Sequence, residues 1–170
     1  YIFMPSKMRK QTNDILKNIL KDKTYGIVLN IGCGKDIDKE GTAYSNYFNC
    51  NKVIKIDPYM DLKYVDSNDN CDNLHYPDKY CDLVFLNWVF TGEYNKVDPL
   101  NPTVNDCENI IQNSENPIKE LYRVLKNNGE IILSYNFYDP NLNDKFSINL
   151  EKYFECINRY TTIINDDIYQ

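Results

Sequence analysis

Four short segments of the 170-residue chain, Ile27–Ile31, Val53–Asp57, Leu83–Leu86 and Glu130–Tyr135, are apolar with little interruption. A strand with one wet face would alternate apolar and polar residues, and a buried helix would need a longer run. Strands apolar throughout are buried on both faces, which calls for a parallel sheet with helices above and below it. Between the segments the spacing turns helical. Ile15, Leu16, Ile19 and Leu20 make one stripe within Lys10–Asp22, and Ile118, Leu121, Tyr122 and Leu125 make another within Glu115–Lys126. Pro117 is tolerable in the first turn of the latter helix.

The expected fold is α/β: a Rossmann-like, doubly wound, mostly parallel sheet with helices on both faces. With 42% hydrophobic residues, a chain of this length fills one core, so residues 1–170 read as a single domain opening with a helical region over 1–24. A further strand is expected at Leu62–Val65, a helix around Ile148–Cys156 and a strand at Tyr160–Ile164. Asn127, Asn128 and Gly129 should stop the helix before them. Residues 92–114, with Pro99, Pro102 and many Asn and Asp, read as a long surface loop or insertion. After Tyr135 there is room for one helix and one strand, so the last strand pair of such a sheet is either truncated or continued in further sequence. The lack of an initiator Met likewise fits a piece of a longer product.

A formal charge of −6 and a pI near 4.8 disfavour nucleic acid, whose binders carry basic stripes. Lys7, Arg9, Lys10, Lys17, Lys21 and Lys23 fit the wet side of the first helix. Six cysteines with no CxxC pair and a single histidine speak against a zinc site; reduced thiols in a cytoplasmic compartment are expected. No apolar run is long enough to span a bilayer and no signal peptide is visible. Small molecules or glycans, rather than nucleic acid or a membrane, are the expected partners.

In doubly wound sheets ligands bind at the carboxyl ends of the strands. The first strand runs into Gly32-Cys33-Gly34 and the second into Asp57, 23 positions after Gly34. A nucleoside cofactor needs glycines there, because a Cβ would block its close approach, and an acidic residue to receive the ribose hydroxyls. By themselves these features equally suit a tight turn with Asp57 as a helix cap. The third glycine of the dinucleotide pattern would fall at Ile37, so a pyrophosphate clasp is not encoded. A cofactor without pyrophosphate fits better, and S-adenosylmethionine is the common one.

Three stretches carry a more specific likeness. Val28–Gly34 (VLNIGCG) resembles the glycine motif (V/L)LD(I/L)G(C/T)G of class I S-adenosylmethionine-dependent methyltransferases. Leu74–Phe90 (LHYPDKYCDLVFLNWVF) is similar to the family's LPFPDxSFDLV stretch, and Asn116–Tyr135 (NPIKELYRVLKNNGEIILSY) to its ELxRVLKPGG stretch. In order and spacing they cover Ile27–Tyr135, and they look most like small methyltransferases of the domain-11 kind. The resemblance implies that Gly32, Cys33 and Gly34 pack beneath the methionine and ribose, that Asp57 holds the ribose hydroxyls, and that Pro58 or Tyr59 lies against the adenine. It places Asn70 and Cys71 at the adenine amino group, with Asp66 or Asp69 in that role under another loop register, and Asn87 near the sulfonium. Asp82 and Arg123-Val124 match family positions but read as structural.

The departures are equally specific. Asn30 replaces the acidic residue that orients the cofactor's amino group. Histidines found after the fourth family strand are absent, and Trp88-Val89-Phe90-Thr91-Gly92 stands there instead. Asn87-Trp88-Val89-Phe90 lacks the prolines of the NPPY motif; Trp88 and Phe90 either line an acceptor pocket or belong to the core. No catalytic residue is specified. Glu93 and His75 are the candidates, His75 lying nearer the adenine than the methyl group. Because methyl transfer from a sulfonium is a direct displacement governed by positioning, a sparse acid–base apparatus suffices. The expected activity is transfer to a small-molecule or sugar hydroxyl. A catalytically inactive binding or scaffold protein of the same fold is the alternative, and a nicotinamide enzyme a third.

Overall fold

The computed structural model describes residues 6–34, 44–87, 104–135 and 140–158. In chain order its elements are α1 (Ser6–Leu20), β1 (Tyr25–Ile31), a 3-10 turn (Tyr44–Tyr47), β2 (Cys50–Ile56), β3 (Cys81–Asn87), α2 (Val104–Gln112), α3 (Glu115–Val124), β4 (Leu125–Ser134) and α4 (Pro140–Glu151). The strands form one sheet in the order β2-β1-β3-β4, every pair parallel. β1 is aligned with β2 from Tyr25↔Cys50 to Ile31↔Ile56, and with β3 from Val28↔Leu83 to Ile31↔Leu86. The chain winds outward to β2 and then crosses back to β3 on the other side of β1. The carboxyl ends of β1 and β3 therefore flank the switch point where a crevice opens.

Both faces are covered, as the unbroken apolar strands require. Leu29, Ile31, Ile54, Ile56, Val84 and Leu86 pack with α2, α3 and α4 on one face. On the other, Val28, Leu83 and Phe85 meet Leu16 and Leu20 of α1, with the Phe48 and Phe85 rings 5.2 Å apart. The expected doubly wound α/β fold is the observed one.

Charges fasten the amino ends of the strands. Asp82 accepts the Ile27 N–H at 2.7 Å and the Lys126 ammonium at 2.8 Å, joining β1, β3 and β4. Glu130 receives Lys23 at 2.7 Å and the Tyr25 hydroxyl at 2.8 Å. Burial and the Glu130 carboxylate raise the Tyr25 phenol far above its ordinary value.

Several expected elements are placed differently. Leu62–Val65 is not a strand: Tyr64 N–H closes a turn on Asp61 O at 2.8 Å, and Leu62 is 66% exposed. Beside β2 there is a single parallel bridge, Ile56↔Ser67. Side chains there take over backbone groups, Asp66 accepting Lys55 N–H at 2.8 Å and Asn68 donating to Asp57 O at 2.9 Å, which competes with a ladder. The stretch read as a loop over 92–114 contains α2, anchored by buried Ile110 and Ile111. Helix α3 stops at Val124, two residues early, because Leu125 is already extended and opens β4. Asn127–Gly129 is then a bulge inside that strand: Cys81 pairs with Leu125 but Leu83 with Glu130, and Asn128 adopts a φ of 64°.

The last helix spans Pro140–Glu151 rather than 148–156. Leu142 and Phe146 are buried and Leu150 packs against the same core, whereas Ile148 is 59% exposed. Tyr160–Ile164 lies outside the described residues. Along the side of β4 that pairs with no other described strand, a cleft of about 1570 Å³ is lined by Ile131, Leu133, Tyr135, Tyr153 and Phe154, among others. Among the described residues no helix is long and apolar enough to cross a membrane.

Candidate functional site

β1 ends in a turn that only glycine makes cheaply. Gly32 and Gly34 have φ of 68° and 59°, the left-handed region in which a Cβ costs about 1–2 kcal/mol. Gly32 N–H donates to Ile56 O at 2.8 Å, so the turn is laid across the end of β2. Where a Cβ on Gly34 would stand, nothing lies within 4 Å; the backbone there borders open space.

Asp57, 8% exposed, leaves β2 at this turn. One carboxylate oxygen accepts Gly34 N–H at 2.8 Å and the other Tyr59 N–H at 2.9 Å. The carboxylate thus caps its own turn and also holds the glycine turn 23 residues earlier. An ionised carboxylate has about four acceptor positions, and two of them are used by these bonds. Asn68, which sequence spacing did not single out in this Asn-rich chain, braces Asp57 from behind by donating to its carbonyl at 2.9 Å and to Met60 O at 2.5 Å. Pro58 is half-buried, and Tyr59 presents its ring to solvent at 71% exposure.

The following loop is fixed by two charge clusters. Asp69, buried, accepts His75 N–H at 3.1 Å and pairs with His75 Nδ1 at 2.5 Å. Burial pushes the Asp69 carboxyl up, but the His75 and Ser67 contacts outweigh it and hold it below the ordinary range. Arg123 of α3 forks onto Glu120 at 2.7 and 2.8 Å and donates to Leu74 O, Tyr76 O and Asp78, while Glu120 accepts Leu74 N–H at 2.8 Å. Within this frame Asn70 is exposed in a turn closed by Asn73 N–H at 3.0 Å, whereas the Cys71 side chain is buried in the core.

Asn30, Gly32, Cys33, Gly34, Asp57 and Pro58 therefore come together at the carboxyl ends of β1 and β2, Asn30 being 1% exposed. Asn87 closes β3 level with Ser134 of β4. Asp69 is committed to His75, and Asp66 to the Lys55 amide. The His75 ring sits in the loop before β3, tied to Asp69. Trp88, Phe90 and Glu93 lie outside the described residues.

No family model matches the chain, and no curated protein matches it. Solved structures share its fold. The N-methyltransferase NodS from Bradyrhizobium japonicum, determined with S-adenosylhomocysteine, aligns at a TM-score of 0.56 and 13% identity over 89% of this chain and 76% of that one. The [4+2]-cyclase SpnF aligns at 0.55 and 14% identity, over 86% of this chain and 57% of its own. YcgJ from Bacillus subtilis aligns at 0.50 and 16% identity, over 79% and 55%. The chain thus spans little more than half the length of the latter two. What these likenesses establish is the fold, one that serves a methyl transfer in one protein and a cycloaddition in another.

Proposed function

We propose that the chain is an S-adenosylmethionine-dependent methyltransferase that passes a methyl group to the hydroxyl of a small molecule or sugar. The observation that carries this reading is the Asp57–Gly34 clamp: a buried carboxylate with acceptor capacity to spare, fixed against a glycine turn that borders open space. That is the donor and acceptor set a ribose needs. The glycine turn supplies the close backbone approach, and no third glycine follows to clasp a pyrophosphate.

When bound, the cofactor supplies a sulfonium-activated methyl group. Asp57 would receive the ribose hydroxyls, and Gly32, Cys33 and Gly34 would underlie the ribose and methionine. Pro58 and the exposed Tyr59 ring would lie against the adenine, with the exposed Asn70 towards its amino group, while the Cys71 side chain stays in the core. Asn87, which ends β3, would lie towards the reacting end. The acceptor hydroxyl would take up that methyl group, and its proton would pass to solvent or a loop carboxylate. In-line positioning carries much of such a displacement. An acidic surface suits an uncharged acceptor better than a polyphosphate one. A cytoplasmic setting fits the thiol-rich composition.

Calorimetric titration with S-adenosylhomocysteine, followed by transfer of labelled methyl groups to a panel of sugars and small alcohols, tests the proposal. Binding with turnover supports it. Binding without turnover on any acceptor favours the scaffold alternative, and no binding at millimolar ligand removes both cofactor and reaction.

A further inference from the structure

Among the residues of helix α1 whose burial is described, Asn13 to Leu20, one polar residue is buried. Asn13 is 8% exposed, in line with Leu16 and Leu20, and its Oδ1 is a buried acceptor without a hydrogen-bond partner. An unsatisfied buried acceptor costs about 1–3 kcal/mol, so packing alone would favour Leu at this position.

Helix α1 lies on the sheet face that carries Val28 and, two residues further along the strand, Asn30. The short connection from Leu20 to Tyr25 reverses the chain, with Lys23 N–H on Leu20 O at 3.1 Å, so α1 runs back over β1 towards the carboxyl ends of the strands. Asn13 is seven residues before Leu20, about 10 Å up the helix at roughly 1.5 Å per residue. At roughly 3.3 Å per residue, Val28 and Asn30 stand about 10 and 16 Å above Tyr25 on the sheet face that α1 covers. Helical side chains lean towards the helix N-terminus, which carries the Asn13 amide above the level of Val28 in the direction of Asn30. With the ribose held at the tip of β2, the rest of the cofactor must extend over β1 towards β3. Its one cationic hydrogen-bond donor is the methionine ammonium, and Asn30 offers that ammonium an amide where a carboxylate would offer a charge.

We propose that Asn13 is a positioning residue for the cofactor, its Oδ1 accepting the methionine ammonium. This rests on the cofactor reading above. The unmatched acceptor is then the complement of a ligand donor.

The test is calorimetric titration of the 170-residue chain with S-adenosylhomocysteine and with its des-amino analogue, repeated on Asn13→Leu and Asn13→Asp, with ligand-free melting alongside. A bond to a charged donor predicts that Asn13→Leu loses about tenfold or more in affinity for S-adenosylhomocysteine, leaves the analogue unchanged, and melts higher without ligand. Asn13→Asp should melt lower without ligand and bind S-adenosylhomocysteine, though not the analogue, more tightly than the parent. Equal effects on both ligands, or an Asn13→Leu affinity within twofold of the parent, would overturn the assignment of Asn13 alone. If the parent binds neither ligand, the cofactor reading itself falls.

Discussion

Substituting Asp57→Asn keeps the size and shape of the side chain and changes the number of acceptor oxygens from two to one. In the parent each oxygen accepts a separate backbone N–H, from Gly34 at 2.8 Å and from Tyr59 at 2.9 Å. Whichever way the amide turns, one of those N–H groups meets an NH2 donor. The lost bond and the stranded donor together cost about 1–3 kcal/mol. For a chain of this length about 2 kcal/mol lowers the melting temperature by roughly 4–8 °C. The same change removes acceptor positions intended for the ribose, so affinity for S-adenosylhomocysteine should fall by about tenfold or more. Thermal unfolding and calorimetric titration read the two effects separately. A destabilised variant with intact affinity would mean that Asp57 only caps its turn and does not meet the ligand. An unchanged melting temperature would contradict the clamp itself.

Two glycine substitutions separate the ligand from the fold. Gly34→Ala adds a Cβ to a left-handed residue facing open space, so it should cost about 1–2 kcal/mol of stability and lose most of the cofactor affinity. Gly129→Ala places a Cβ 2.9 Å from Lys126 O and should destabilise by about 1–3 kcal/mol without altering affinity per folded molecule. Arg123→Lys should fail to replace the planar fork that holds Glu120, Leu74 O and Tyr76 O, lowering the denaturation midpoint by about 1–3 kcal/mol and exposing the 69–78 loop to faster amide exchange. Stability should also fall in acid. Burial raises Asp69, Asp82 and Glu130, but their hydrogen bonds and cationic partners prevail, and Arg123 foremost lowers Glu120, so all four lie below ordinary values of 3.8 and 4.5. Groups depressed in the folded state stabilise it above those ordinary values and lose that contribution as pH falls through the folded ones. Melting temperature at constant ionic strength should therefore hold near neutrality and drop below about pH 4.5, less steeply in Glu120→Gln.

What could be read from sequence divides along one physical line, between burial patterns that are local and pairings that are not. Leu29, Ile31, Val84 and Leu86 had to be buried, so the strands, their parallel pairing and the two helical layers followed from runs of a few residues. The glycine turn and Asp57 were legible for the same reason, since each ends such a run. Leu62–Val65 was misread because a short apolar run cannot show that Asp66 and Asn68 occupy the backbone groups a ladder would use. The α2 helix was hidden because nine residues with one buried Ile pair, Ile110-Ile111, give a faint period inside a polar stretch. Asp82 was legible as a strand-entry charge and Arg123-Val124 as a helix packing face, although the partners that lie 44 to 55 residues away were not. Asn13 belongs to the same class of hidden feature. In sequence it is one more polar residue in a polar helix, and only the closed fold turns it into an acceptor without a donor. Apolar packing does not explain an unmatched polar atom at this position, and the proposed contact with a ligand donor would.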